Sequence, residues 1–257
     1  MPGSKMPSKN RMKAKRPSRR RTLRRKMYGG AHPGHIYVFF HIYCNSNTLE
    51  IVRDQATKII FSGLYDDVTT IFCYLAGNKE YVTLLKTYIT SLPKKFVVKD
   101  IGVDDITYER FTLTKIKNHV QENDKFLYIH TKGVTRVQEK SAISECIYLW
   151  RNYMEYYLIR HYKKCLEKLN THDVVGAIYK TLMVGPHFSG NFWWSTGAYF
   201  KRLSREHSIG EFYTDPEVYI FKGLPNFAMA DDNSIHDRYC LYKNPMFPKL
   251  YMDKPVN

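Results

Sequence analysis

The chain has 257 residues, 44% of them hydrophobic, with 21 Tyr and 14 Phe, which is enough apolar material for one full core and fits a single domain of ordinary to large size. The formal net charge of +16 looks like a nucleic-acid signature until it is located. Met1 to Gly29 carries twelve Lys and Arg and no acid, leaving 28 basic against 24 acidic residues, about +4, for residues 30–257.

The basic start, Lys5 to Lys26, interleaves Arg and Lys with Pro2, Pro7, Pro17 and several Ser and has no apolar periodicity. It is expected to be a disordered tail, 1–29, ahead of one domain, 30–257. Arg19-Arg20-Arg21 and Arg24-Arg25-Lys26 can contact nucleic acid, anionic lipid or another anionic partner, or act as a nuclear address. The plainer reading is a solubilising or packaging tail. No apolar h-region follows it, and no apolar run nears the ~18 residues that cross a bilayer, so a soluble, intracellular protein without a transmembrane segment is expected. Cys44, Cys73, Cys146, Cys165 and Cys240 are odd in number and lack CxxC spacing, which argues against a zinc site or a disulfide framework.

Ile36 to Ile42 is β-prone and nearly all apolar, as in a strand covered on both faces. Leu49 to Phe61 has helical spacing, with Gly63 as a left-handed stop. Val68 to Leu75 is the next strand, closed by Gly77-Asn78. Glu80 to Ser91 reads as a helix, Phe96 to Lys99 as a short strand, Phe111 to Glu122 as a helix and Phe126 to Ile129 as a buried strand. This alternation predicts an α/β fold, a mostly parallel central sheet with helices on both faces.

Ligands in such sheets sit beyond the carboxyl ends of the strands. The loops there hold Tyr43 and Asn45, Gly77 and Asn78, and His130-Thr131-Lys132-Gly133. Asn and Gly are also ordinary turn residues. In the third loop Lys132 offers a cation, Thr131 a hydroxyl, His130 a ring nitrogen, and Gly133 an open approach for backbone amides to an anion.

Ser144 to Leu169 predicts one long helix, with Ile147, Trp150, Met154, Leu158, Tyr162, Cys165 and Leu169 on its apolar side, so Trp150 and Met154 are expected in the core. Arg151 either reaches a phosphate or pairs with Glu155 at i+4. After a short strand, Val174 to Ile178, comes His187-Phe188-Ser189-Gly190-Asn191-Phe192-Trp193-Trp194, a segment suited to stacking a sugar ring and satisfying its hydroxyls. Consecutive tryptophans in a strand point to opposite faces, so one of Trp193 and Trp194 is expected to line a pocket and the other to pack the core. Tyr199 to Leu203 reads as a short helix. Asp215, Pro216 and Glu217 suit a first helical turn, and a carboxylate there aimed toward Asn191 would be a candidate general base.

His35 to Phe221 resembles a family of glycosyltransferase-like proteins of GT-A type fold found in bacteria and large DNA viruses. The residues that carry the resemblance are His41-Ile42-Tyr43, Ser62-Gly63-Leu64-Tyr65-Asp66, Leu127 to Gly133, Trp150-Arg151-Asn152-Tyr153-Met154, Phe188 to Trp194, and the late Glu217. The basic start is similar in style to tails on giant-virus and algal-virus proteins. The resemblance implies transfer of a sugar from a nucleotide-diphosphate donor to a hydroxyl acceptor on a glycan or glycoprotein. The usual Asp-x-Asp motif, which holds Mn2+ or Mg2+, is replaced here by His130-Thr131-Lys132, so Lys132 with Arg151 is expected to neutralise the leaving diphosphate without a required metal cofactor. Asp104-Asp105 and Asp231-Asp232 are residual metal candidates, though such pairs are usually solvated surface. Glu217, or failing it Asp215, would be the base, with inversion, and Asn191 and one Trp would orient the sugar. A glycan or nucleotide-sugar binding protein without turnover, and a nucleic-acid binder acting through the tail, are the rival readings.

Overall fold

The computed structural model describes residues 34–102, 108–136, 141–181, 184–231 and 240–252. All of them belong to a single unit, Pro33–Asn257. The expectations for the basic tail, Asp104-Asp105 and Asp232 lie outside the described residues.

In chain order the elements are β1 (Ile36–Cys44), α1 (Thr48–Phe61), α2 (Leu64–Asp67), β2 (Thr70–Gly77), α3 (Lys79–Ser91), β3 (Phe96–Gly102), α4 (Arg110–Ile116), β4 (Lys125–His130) and α5 (Ala142–Glu155). A π-helical turn (Tyr156–Arg160) leads into α6 (Tyr162–Lys168), β5 (Val174–Gly176), β6 (Tyr179–Lys180), β7 (His187–Phe188), β8 (Trp193–Thr196), α7 (Gly197–Glu206), α8 (Asp215–Tyr219) and β9 (Phe227–Met229). Seven strands form one sheet in the order β3-β2-β1-β4-β8-β5-β9. β1 pairs in parallel with both β2 and β4, and β8 runs antiparallel to β4 and β5. The protein is therefore α/β with a mostly parallel central sheet, as the alternation of elements predicted.

Period-2 alternation along the strands divides the core between the two faces. Val38, Phe40, Ile42 and Cys44 of β1 pack with α1, α3, α5 and α6 on one face. Phe39 packs with Leu113 of α4 and with Tyr199, Phe200 and Leu203 of α7 on the other. A strand covered on both sides has no polar face to show, which is why β1 reads as a continuous apolar run. The five cysteines are free thiols, four of them buried. No described helix is long and apolar enough to cross a membrane.

Two helical expectations need correction. The predicted long helix is divided by the π-helical turn, where His161 N–H donates to the Tyr156 carbonyl. The extra residue in that turn rotates the following face, and Tyr156 and Tyr157 there pack against Tyr251. The predicted helix Phe111 to Glu122 ends at Ile116, because the chain must turn so that Asp124 can accept from the amides of His35 and Gln121 and set up β4.

Candidate functional site

β1 and β4 are neighbours, with His41 opposite His130, so the loops that follow them open on the same side of the sheet. There a cleft of about 570 Å³ is lined by Tyr43, Glu109, His130, Thr131, Lys132, Gly133, Trp150, His187, Ser189 and Glu217, with Tyr108, Tyr213 and Tyr242 among its other walls. The structure thus gathers Tyr43, the His130–Gly133 loop and Glu217, which are far apart in sequence.

Lys132 is 9% exposed, and its Nζ lies 3.8 Å from the centroid of the Trp150 ring, a cation–π contact with the indole that the periodicity assigned to the core alone. Burial lowers the Lys132 pKa, and the charges of Glu217 and Glu109 oppose that fall. Among the described residues no carboxylate comes within hydrogen-bonding distance of this ammonium. The loop that carries it is held by its own backbone, the amides of Thr131, Lys132, Val134 and Arg136 donating to the carbonyls of His41, His130, Thr131 and Gly133. Gly133 lines the cleft and also has a packing role. It sits at φ +85°, where a Cβ would come within 2.5 Å of Ile147 Cγ2, so glycine serves the turn and its packing on α5 while four amides of the loop are already used. The Thr131 hydroxyl accepts from Tyr43 N–H at 3.0 Å, which ties the two loops together.

Glu109, just before α4, was not anticipated. Its Oε2 accepts from the Tyr128 hydroxyl at 2.8 Å and from Asn191 Nδ2. Its Oε1 is 3.7 Å from His130 Nε2. The side chain is 17% exposed, and burial lifts its pKa from the ordinary 4.5 to about 7, against the opposing pull of Tyr128, Asn191 and Lys132. His130 goes the other way. Burial, reinforced by Lys132, lowers it to about 3, so the ring is neutral and its Nε2 donates to the Gly190 carbonyl at 2.9 Å.

The remaining expected residues lie elsewhere. Trp193 and Trp194 do point to opposite faces, but both are 0% exposed. Trp193 joins the α4/α7 cluster and donates to Asn191 Oδ1 at 2.8 Å, while Trp194 joins the α1/α5 cluster and donates to the Leu158 carbonyl at 2.8 Å. Each ring is enclosed by a helical layer, so neither reaches the cleft. Asn191 is also fully buried, at φ +54°. It orients Glu109 and Trp193 and is not open to a ligand. Arg151 is not a cleft residue either: its guanidinium donates to the Lys132 carbonyl at 3.1 Å and faces Glu155 at 3.4 Å. It therefore supports the Lys132 loop from behind. Asp215 closes the turn that precedes α8, accepting from Phe212 N–H at 2.7 Å, and Asn78 caps α3 through Glu80 N–H at 2.9 Å. Asp231, grouped with surface acids, is 4% exposed and accepts from the Tyr153 hydroxyl.

Only local signals were open to sequence reasoning, and Glu109 had none. A Glu ahead of Arg110-Phe111-Thr112-Leu113 reads as a helix-start acid, and the partners that matter are 19 and 82 residues away.

The divalent cation that the family resemblance implies does not suit these donors. The Lys132 ammonium stands among the acids, Glu109 Oε2 already accepts two hydrogen bonds, and His130 Nε2 is turned to a carbonyl. Among the described residues no group of three or more His, Cys, Asp or Glu is placed to hold a metal ion.

No curated protein sequence matches the chain. Solved structures similar to it in chain path include 4-diphosphocytidyl-2C-methyl-D-erythritol synthase from Anaerococcus prevotii DSM 20548, with 9% identity over 77% of this chain and 89% of that one and a TM-score of 0.43. HddC from Yersinia pseudotuberculosis is another, with 12% identity over 76% and 89% and a TM-score of 0.42. Residues 38–223, most of the chain, match the family described as domain of unknown function DUF8361, and the chain belongs to that family.

Proposed function

We propose that the protein is a glycosyltransferase that moves a sugar from a nucleotide-diphosphate donor to a hydroxyl acceptor on a glycan or glycoprotein, without a required metal. The observation that carries this reading is the buried Lys132 ammonium, held over Trp150 in a cleft of about 570 Å³ and unpaired by any carboxylate among the described residues. A desolvated cation is costly unless an anion completes it, and a diphosphate supplies two charged groups. As the bond between the anomeric carbon and the diphosphate oxygen breaks, the electron pair leaves with the diphosphate and Lys132 stabilises that charge. The acceptor oxygen bonds to the anomeric carbon, and its proton passes to a carboxylate of the cleft. Glu217 and Glu109 both have the position for this. Arg151 acts through the Lys132 carbonyl and does not touch the phosphate.

A thermal-shift series with UDP-glucose, UDP-galactose, UDP-N-acetylglucosamine and GDP-mannose, each with and without Mn2+, tests the reading. A ligand at 100 times its Kd stabilises the fold by about 2.7 kcal/mol. The expected result is stabilisation by at least one nucleotide sugar that Mn2+ leaves unchanged and Lys132→Ala abolishes, together with release of the nucleotide diphosphate in the presence of acceptor. Stabilisation by none of them, or a strict requirement for Mn2+, defeats it. Binding without nucleotide release would instead mark a nucleotide-sugar binding protein.

A further inference from the structure

We propose that Glu109 is the base that deprotonates the acceptor, and that Tyr108 and Tyr213 beside it form the acceptor subsite for a carbohydrate ring. The assignment rests on the function proposed above and extends it to the acceptor side.

Three consecutive residues build this wall. Tyr108 adopts φ +44°, a left-handed conformation that a tyrosine holds at a cost. Its ring meets that of Tyr213 edge-on, with centroids 5.1 Å apart. Glu109 supplies the carboxylate. Arg110 anchors the opposite loop, donating through Nε to the Gly210 carbonyl at 2.6 Å and through a terminal nitrogen to the Phe212 carbonyl. One short segment therefore fixes the carboxylate and both aromatic rings.

The rings are open to solvent, Tyr213 at 73% and Tyr108 at 42%, in contrast to the enclosed Trp193 and Trp194. Exposed aromatic faces beside a polar cleft suit the apolar C–H face of a sugar. Glu109 suits proton transfer by geometry. Tyr128 and Asn191 lock its Oε2, which leaves Oε1 as the proton-accepting atom. Burial raises its pKa, and Tyr128 of β4, Asn191 and Lys132 pull it back. The other titratable groups that face it are His130 of β4 and Tyr213 of the facing loop, with Glu217 on α8 lining the same cleft. Its pKa of about 7 makes it an effective base near neutral pH. The acceptor O–H bond breaks as its oxygen bonds to the anomeric carbon. The proton goes to Oε1, and the electron pair of the cleaved C–O bond leaves with the diphosphate.

The test uses the full chain with the donor that stabilises it best and a set of methyl glucosides, galactosides, mannosides, xylosides and N-acetylglucosaminides as acceptor probes. In Glu109→Gln, transfer is expected to fall at least 100-fold while donor stabilisation persists, and the residual rate should lose the acid limb centred near pH 7. Glu109→Asp should recover part of the rate. Glu217→Gln should keep that limb. In saturation-transfer NMR the ring protons of at least one glycoside should receive saturation from the wild type, reduced at least fivefold in Tyr213→Ala with donor stabilisation unchanged. The proposal is overturned if Glu109→Gln keeps its rate or its acid limb, if no glycoside binds, or if Tyr213→Ala leaves glycoside binding intact. It is also overturned if that variant loses donor binding instead, which would put the nucleobase on the rim. Absence of donor binding or turnover in the wild type is a separate result that removes the glycosyltransferase reading itself.

Discussion

Lys58 and Lys132 are two lysines drawn into the same protein on either side of Arg151, and they are treated in opposite ways. Lys58 Nζ reaches Asp54 at 2.7 Å, Asn152 at 2.6 Å and Glu155 at 2.5 Å. Burial pulls its pKa down, but Glu155 and Asp54 more than reverse the effect and the net shift is upward. Lys132 has an indole at 3.8 Å and two carboxylates that act on it without hydrogen-bonding to it, and its net shift is downward. The first cluster, with Arg151 and Glu155, closes its charges on itself and holds helices together. The second leaves an ammonium beside a cleft with no hydrogen-bonded carboxylate among the described residues, and the proposed diphosphate site rests on that difference. Arg151 links the two, since it faces Glu155 and donates to the Lys132 carbonyl.

The comparison breaks most severely at Glu155. Glu155→Ala takes the buried carboxylate away from Arg151 and one of two carboxylates from Lys58, which keeps Asp54, and urea denaturation should show a loss of about 3 to 5 kcal/mol. Next comes Lys132→Ala, for which transfer should fall about 100- to 1,000-fold, or about 2.7 to 4 kcal/mol of barrier, while folding stability changes little. A matching collapse in stability would mean that Lys132 is structural like Lys58.

Glu109 sharpens the contrast through pH. Its folded pKa of about 7 lies above the ordinary 4.5, so between those values the native state binds more protons than the unfolded chain and its stability falls as pH rises. Glu109→Gln should therefore gain on the wild type by up to about 3 kcal/mol at pH 8 and by nothing near pH 4. Thermal melts of both proteins across that range check the sign. His41 and His130, each lowered to about 3 mainly by burial, act in the opposite sense: their contribution is present above 6.5 and is lost as pH falls toward 3. At pH 8 both rings are neutral in the folded and the unfolded chain, so the gain read there reports Glu109 alone. The smallest effect is at Asn78, where Asn78→Ala should cost about 1 kcal/mol through loss of the α3 cap and leave nucleotide-sugar stabilisation unchanged.

By itself the sequence determined the fold class, the central strands and the loop that carries Lys132. Those features follow from short-range periodicity, and a run such as Ile36–Ile42 or Phe126–Ile129 has few ways to bury itself outside a doubly covered sheet. It also determined that Trp193 and Trp194 point to opposite faces, because side chains alternate along any strand. Only the tertiary structure decided that helices close over both indoles, that Trp150 passes through the core to meet Lys132, and that Arg151 turns inward to a carbonyl. It also brought Glu109 into the cleft, held by Tyr128 and Asn191. A side chain's direction is local, but what it meets there depends on segments up to a hundred residues away, and the chemistry of a buried charge is set by that meeting.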